Sequence, residues 1–249
     1  MDLRHTPRLY LAAPLEASAT LTIGDNQAHY LLHVLRVKLE DDLRLFNGKD
    51  GEWHAIITTI GKRSLDVRLE KQTRAQKAEP EITLCCAPIK KAHFDYMLEK
   101  ATELGVSHIQ PILTSRTQVR DVNIERCTSM AIEAAEQSDR LTIPSIQKPV
   151  TLLELVTKWQ PDCAMIVCAE WGDAIPIKEA FASQKLLSAS KIAIVVGPEG
   201  GFSADELIKF KEIPHSLFTR LGPRILRADT AAIAALTCWQ AMCGDWVAQ

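Results

Sequence analysis

The chain has 249 residues, 47% of them hydrophobic, with a formal net charge of −2 and a pI of about 6.4. That length and apolar content supply one large core or two smaller ones, and the near-neutral balance excludes a surface that attracts nucleic acid everywhere. No stretch of 18 uncharged apolar residues occurs, and the opening MDLRHTPRLYLAAPL lacks an apolar run of signal-peptide length. The expected setting is therefore soluble and cytoplasmic, with no membrane span.

From about residue 8 to 70, short alternating runs follow one another: RLYL, ATLTIG, DLRLFNG, WHAIITTIG and SLDVRLE. Period-2 alternation predicts strands, and NGKDG (Asn47 to Gly51) reads as a hairpin connection. One helix is expected over Gln27 to Arg36, with Ala28, Leu31, Leu32 and Leu35 on a common face. Together these predict a small β-barrel over residues 1–72. The polar stretch TRAQKAEP (Thr73 to Pro80) has little to bury and ends in proline, which places the domain boundary there.

Residues 73–249 change pattern. Apolar strands ITLCCAP, HIQPIL, CAMIVC, IAIVV and SLFTRLG alternate with amphipathic segments, the signature of an α/β domain with a mainly parallel sheet. A helix near Ala92 to Leu104 puts Phe94, Met97, Leu98, Ala101 and Leu104 on one side and stops at Gly105. Another runs from about Asn123, a candidate cap, to Gln137.

Seven cysteines, with Cys85 and Cys86 adjacent and no C-x-x-C pair, fit reduced core residues better than a disulfide framework or zinc cluster. His29 and His33 have metal-site spacing but lack the glutamate of H-E-x-x-H and a third ligand, so no metal is expected.

The stretch VVGPEGGFSADE (Val195 to Glu206) runs from a strand through glycines into a helix start. It matches neither G-x-G-x-x-G nor G-x-x-x-x-G-K-[ST], so a phosphate cradle is not expected. Ser203 and Glu206 form a capping box, which explains Glu206. Glu199 has no such explanation. It either meets a partner rich in hydrogen-bond donors, orients an arginine, or is a turn glutamate facing water. LGPRILRADTAAIAALTCWQAM (Leu221 to Met242) repeats the design of strand, Gly-Pro turn and helix. Asp229 or Thr230 is a candidate cap, and alanines allow close packing. Local basic spots are Arg4 with Arg8, Arg36 with Lys38, Lys90 with Lys91, Arg116 with Arg120, and Arg220, Arg224 and Arg227.

VGPEGGFS and LGPRILRADTA, with EKATELGV, PILTSRT, AAEQSDR and the amino-terminal PRLYL and HVLR, resemble the RsmE family over almost the whole chain. Those are 16S ribosomal RNA uridine N3 methyltransferases of the SPOUT superfamily. The resemblance implies a PUA-like β-barrel that helps hold RNA, an α/β trefoil-knot methyltransferase domain and a homodimer acting on 16S rRNA or the small ribosomal subunit. It also implies S-adenosylmethionine bound in three loops. The first is Val167 to Glu170, with Val167, Cys168 and Ala169 as contacts. The second is Val196, Gly197, Pro198, Glu199, Gly200 and Gly201; the third supplies Leu221, Gly222, Ile225, Leu226, Arg227, Ala228 and Thr230.

Two departures from the family pattern are visible: Ala228-Asp229 in place of Thr-Glu, and Asp139 in place of glycine. Within this reading the enzyme mainly aligns donor and base, an effect that reaches ~7–11 kcal/mol in favourable cases. An arginine aimed at the uracil oxygens stabilises the charge that develops there. Arg8 is the first candidate, then Arg227 and Arg116, while Arg8, Arg36, Lys90, Lys91, Arg116 and Arg140 are candidates to bind RNA. Glu199 is expected to shape the cofactor loop, Cys168 to wall the pocket, and no base is evident. A nicotinamide oxidoreductase lacks its G-x-G-x-x-G here. A non-catalytic RNA-binding module leaves the paired glycine loops without a purpose.

Overall fold

Period-2 apolar patterning becomes strands and 3.6-period patterning becomes helices, and each set closes on its own core. The computed structural model describes residues 6–169, 174–187, 189 and 191–247. Arg4 and Glu170 lie outside the described residues. Two units result: Met1–Ala78 with Ala135–Thr142, and Glu79–Ala134 with Ile143–Gln249.

The first unit holds β1 (Arg8–Tyr10), β2 (Thr20–Ile23), helix α1 (Asp25–His29), β3 (Asp42–Phe46), β4 (Glu52–Ile60) and β5 (Leu65–Arg74). Its five strands are ordered β1-β3-β4-β5-β2. β1 and β2 stand at the two ends of that order, so the hydrogen-bonded ring of a closed barrel is not formed among the described residues. Leu43, Leu45, Ala55, Ile57, Leu65 and Val67 point inward from successive strands onto Leu31. Full burial of such a side chain stabilises by roughly 1.5–3 kcal/mol.

Asn47 turns the β3–β4 hairpin by accepting the Lys49 and Asp50 amides through its side-chain oxygen. The helix differs from expectation. After His29 it continues as a π-helical turn, Tyr30–Leu35, and ends at Arg36 in the left-handed region with φ 56°. The wider i→i+5 turn breaks the i, i+4 register. Ala28 and Leu31 are buried, but Leu35 is turned outward and is 39% exposed.

The second unit is a three-layer sandwich, helices on both faces of an eight-stranded sheet in the order β11-β13-β10-β12-β6-β7-β8. These strands are β6 (Ile82–Cys86), β7 (His108–Leu113), β8 (Ser145–Ile146), β10 (Cys163–Cys168), β11 (Ile175–Pro176), β12 (Lys191–Val196) and β13 (Ser216–Arg220); β9 (Val150–Thr151) pairs with β7. Every pair is parallel. Both faces are therefore covered, which is why these strands read as nearly unbroken apolar runs.

On one face Ile82, Leu84, Ile166 and Ile194 pack on α2 (Lys91–Glu103) and α8 (Ala228–Met242). On the other, Cys85, Met165, Val167, Ala193 and Val195 meet Leu152 of α4 (Leu152–Thr157) and Phe210 of α7 (Ala204–Lys211). The remaining helices are α3 (Ile124–Gln137), α5 (Ile177–Phe181) and α6 (Gln184–Leu187). Asn123 caps α3, its side-chain oxygen accepting the Arg126 amide at 2.9 Å. Gly105 ends the α2 turn with φ 81°, and a Cβ there would lie 2.7 Å from Gln240 Nε2.

Among the described residues no helix is long and apolar enough to cross a membrane, and no group of three or more His, Cys, Asp or Glu is placed to hold a metal.

Candidate functional site

Three adjacent strands of the second unit end together. Cys168 of β10 stands beside Val196 of β12 and Thr219 of β13, so the segments that follow emerge at one carboxyl edge. Open parallel sheets bind ligands at such an edge. Here the loops enclose a cavity of about 560 Å³, within the usual ~300–1,000 Å³ of small-molecule sites.

The loop after β12 is tightly braced. Gly201 donates its amide to the Pro198 carbonyl at 2.8 Å, closing a turn, and takes φ 65°, a conformation glycine adopts without strain. Arg116, from the segment after β7, donates to the Gly200 carbonyl. A Cβ on Gly197 would lie 3.1 Å from the Phe202 ring, and one on Gly200 3.2 Å from Arg116 Cδ.

Ser203 and Glu206 form the reciprocal capping box of α7. Glu206 does a second job: its other oxygen accepts the Ser115 amide at 2.6 Å, tying the helix start to the loop after β7. Glu199 does neither. It lines the cavity, is exposed, and has no side-chain partner among the described residues. The bracing expected of Glu199 is supplied by Arg116, Glu206 and the Pro198–Gly201 turn.

The loop after β13 is held from its flanks. Arg220 donates to the Ala174 carbonyl at 2.8 Å and Thr219 to that of Ile175 at 3.1 Å, while the Ala169 amide donates to the Thr219 carbonyl at 2.9 Å. Gly222 sits at φ 101°. The N-cap of α8 is Arg227, which offers no side-chain bond, rather than Asp229 or Thr230. Asp229 lies inside the first turn, where it accepts the Thr230 amide at 2.8 Å and faces His93 Nδ1 at 2.8 Å. Burial alone opposes its ionisation, but the bond to His93, the Thr230 amide and the His93 charge together lower its pKa. The shorter acid thus ties α8 to α2.

Of the residues expected around the cofactor, Cys168, Ala169, all six from Val196 to Gly201, and Leu221, Gly222, Ile225, Leu226 and Ala228 line the cavity. Val167 is fully buried within β10, and Arg227 and Thr230 are exposed at the start of α8 without lining it. Burial pushes the Cys168 thiol up to about 12, with Cys238 adding to the effect, so it stays protonated as a wall. Sequence reasoning missed Phe202, Leu207, Thr219, Arg220 and Ala231 as lining residues, and placed Pro223 and Arg224 inside the Leu221 to Thr230 loop without naming them as contacts. Ala231 alone had a signal, one helical turn beyond Ala228.

Arg8 is placed otherwise than expected. Within the first unit its Nε donates to Glu52 at 2.7 Å, and its terminal nitrogens donate to the carbonyls of Ala135 and Arg140 at 2.6 Å each. Its guanidinium lies 3.7 Å over the Phe46 ring, leaving the side chain 2% exposed. A guanidinium committed in this way is a buried cross-link of the unit. Arg140 is also buried, with Nε donating to Thr142 Oγ1 at 3.0 Å.

Asp139 takes φ 57°, a left-handed position that aspartate tolerates where glycine is otherwise favoured, and it accepts from Arg44 at 2.9 Å. Arg36, Lys90, Lys91 and Arg116 are exposed. His29 and His33 pack against each other with their rings tilted by 48° and centroids 4.7 Å apart.

The family models that match are an RNA methyltransferase domain over residues 76–240 and an RNA methyltransferase PUA domain over residues 23–70. The first spans well over half of the chain. The chain belongs to the ribosomal RNA small subunit methyltransferase E family. A relative from Rickettsia conorii is 40% identical over 92% of this chain and 93% of its own length. One from Synechocystis is 32% identical over 92% of this chain and 75% of its own. Among solved structures, the family member from Neisseria gonorrhoeae, bound to S-adenosyl methionine, superposes with a TM-score of 0.88 at 30% identity, covering 97% of this chain and 100% of that one. A methyltransferase from Legionella pneumophila, solved with the same cofactor, gives 0.84 at 29% identity over 96% and 99%. The family assignment carries the PUA-like first unit and the methyltransferase second unit with its parallel sheet.

Proposed function

We propose that this protein is an S-adenosylmethionine-dependent methyltransferase that modifies N3 of a uridine in the 16S rRNA of the small ribosomal subunit. The observation that carries the reading is the cavity at the carboxyl edge of β10, β12 and β13, walled by glycine-rich backbone on one side and Ala228 and Ala231 on the other. S-adenosylmethionine supplies a methyl group on an already activated sulfonium.

The residues present fit such a molecule. Gly197, Gly200 and Gly201 let main-chain amides and carbonyls approach it, Leu221, Ile225 and Leu226 offer apolar walls, and the volume is that of a small-molecule site. Loop positions 196–201 and 221–228 would hold it, and Arg116 and Glu206 keep the first of these in shape.

The first unit contributes RNA contacts through exposed cations such as Arg36, with Lys90, Lys91 and Arg116 adding contacts from the second, while Arg8 and Arg140 maintain its structure. The chain works as a cytoplasmic homodimer, and its carboxyl-terminal segment follows a trefoil-knotted path. The knotted reading rests on the family membership.

Two measurements test the function. Titration calorimetry should give one S-adenosylmethionine site per chain, weakened at least tenfold by Gly200→Val. Mass spectrometry of ribosomal RNA from cells lacking the protein should show one N3-methyluridine missing; an unchanged methylation pattern refutes the assignment.

A further inference from the structure

The cavity contains one carboxylate among its lining residues, Glu199, against three guanidinium groups, Arg116, Arg220 and Arg224. Two of those arginines are committed, Arg116 to the Gly200 carbonyl and Arg220 to that of Ala174. Arg224 and Glu199 are exposed, and neither has a side-chain partner among the described residues. The site therefore presents one unused acceptor and one unused donor to whatever enters. An excess of positive charge beside the methyl donor suits a second ligand that becomes anionic.

A cavity lined by one uncommitted carboxylate and one uncommitted guanidinium is complementary to one edge of uracil, where an N3–H donor is flanked by carbonyl oxygens. Cytosine is a poor match, because its N3 is an acceptor and its neighbouring amine a donor. Building on the proposed function, we propose that Glu199 accepts the N3 proton of the target uracil while Arg224 donates to the adjacent carbonyl oxygen, so that both act as catalytic residues and select uracil over cytosine.

The proton on N3 passes to the Glu199 carboxylate, and the N–H electron pair stays with the ring. The N–C bond then forms as the donor's C–S bond breaks, with that bond's electron pair leaving on sulfur. Arg224 offsets the negative charge that collects on the oxygen as the proton departs. No co-reactant beyond the methyl donor and the RNA is needed.

The test uses the full-length chain and isolated small subunits lacking the modification. Single-turnover methyl transfer is followed against pH, with affinity for S-adenosylmethionine and for the subunits measured separately. Glu199→Gln should bind both within about threefold of wild type yet transfer methyl at least 100-fold more slowly, as loss of a general base predicts. Its rate should climb about tenfold per pH unit as hydroxide replaces the carboxylate, and Glu199→Asp should recover part of the loss. Arg224→Gln should lower the transfer rate about 10- to 100-fold with RNA affinity little changed.

Normal transfer by Glu199→Gln overturns the proposal. So does a loss of cofactor affinity that accounts for its slower rate, or an Arg224→Gln defect confined to RNA binding. If wild-type enzyme itself forms no N3-methyluridine, the functional reading fails, a result separable from any variant's behaviour.

Discussion

Arginines do opposite work in the two units. In the first, Arg8 and Arg44 converge on buried Glu52 and on Asp139: Arg8 reaches Glu52 at 2.7 Å, and Arg44 and Arg74 lie 3.8 Å from it. Main-chain carbonyls of Ala135, Arg140 and Asp139 take further donors. In the second, Arg116 and Arg220 brace the loops around the cavity through single carbonyl bonds, and Arg224 is spared. The residue type is shared, and what differs is how many of the five N–H donors are already satisfied. A saturated guanidinium stabilises a fold; an unsaturated one beside a cavity is available for chemistry.

Replacing Arg8 by alanine tests the saturated side and should have the largest effect. It removes the nearest cation of buried Glu52 and leaves Arg44 and Arg74 at 3.8 Å, so the loss should approach the lower end of the about 3–5 kcal/mol that breaking a buried pair costs. Chemical denaturation should show that loss, whereas normal stability with selective loss of turnover would return Arg8 to catalysis.

Next is Glu206→Ala, which removes the α7 capping box and the acceptor of the Ser115 amide. About 1 kcal/mol of stability should go with the lost cap, and the Ser115 amide, which belongs to an exposed residue, adds less because water can replace its acceptor. S-adenosylmethionine affinity should fall with it in calorimetry. Arg116→Met should act on the loop alone, weakening cofactor affinity several-fold while shifting the melting temperature by no more than a degree or two, because the side chain is exposed.

The tie between α8 and α2 has a pH signature. The pKa of Asp229 is lower in the folded state than its ordinary value, so its contribution is present above the unfolded-state pKa of about 3.9. It is lost as pH falls through the folded value. Melting temperatures of wild type and Asp229→Asn should therefore differ near pH 6, and the difference should begin to shrink only below about pH 4 and vanish below the folded-state value. The smallest effect is a gain: Arg227→Ser provides the missing side-chain cap of α8 and should add about 0.5–1 kcal/mol.

Strands β6, β7, β10, β12 and β13, helices α2 and α3 and the Ser203–Glu206 capping box were legible, because apolar periodicity and cap chemistry are local. Pieces such as β8, β9 and β11, two or so residues each, carry too little periodicity to be read. The Leu35 face failed for a different reason, since a π turn arises from packing and leaves the residue pattern unchanged. In the site, the glycine loops could be read because glycine marks close backbone approach. Arg220 and Arg224 were visible only as charges.

Local chemistry written in the chain, namely alternation, caps, turns and glycine loops, determined which elements form and that glycine-rich turns follow two of the strands. Tertiary structure alone decided which carboxylates and arginines are consumed and which are left over. Glu206 meets Ser115 across 91 positions and Arg8 meets the Arg140 carbonyl across 132. The satisfaction of a buried donor depends on distances in space that no nearest-neighbour pattern encodes.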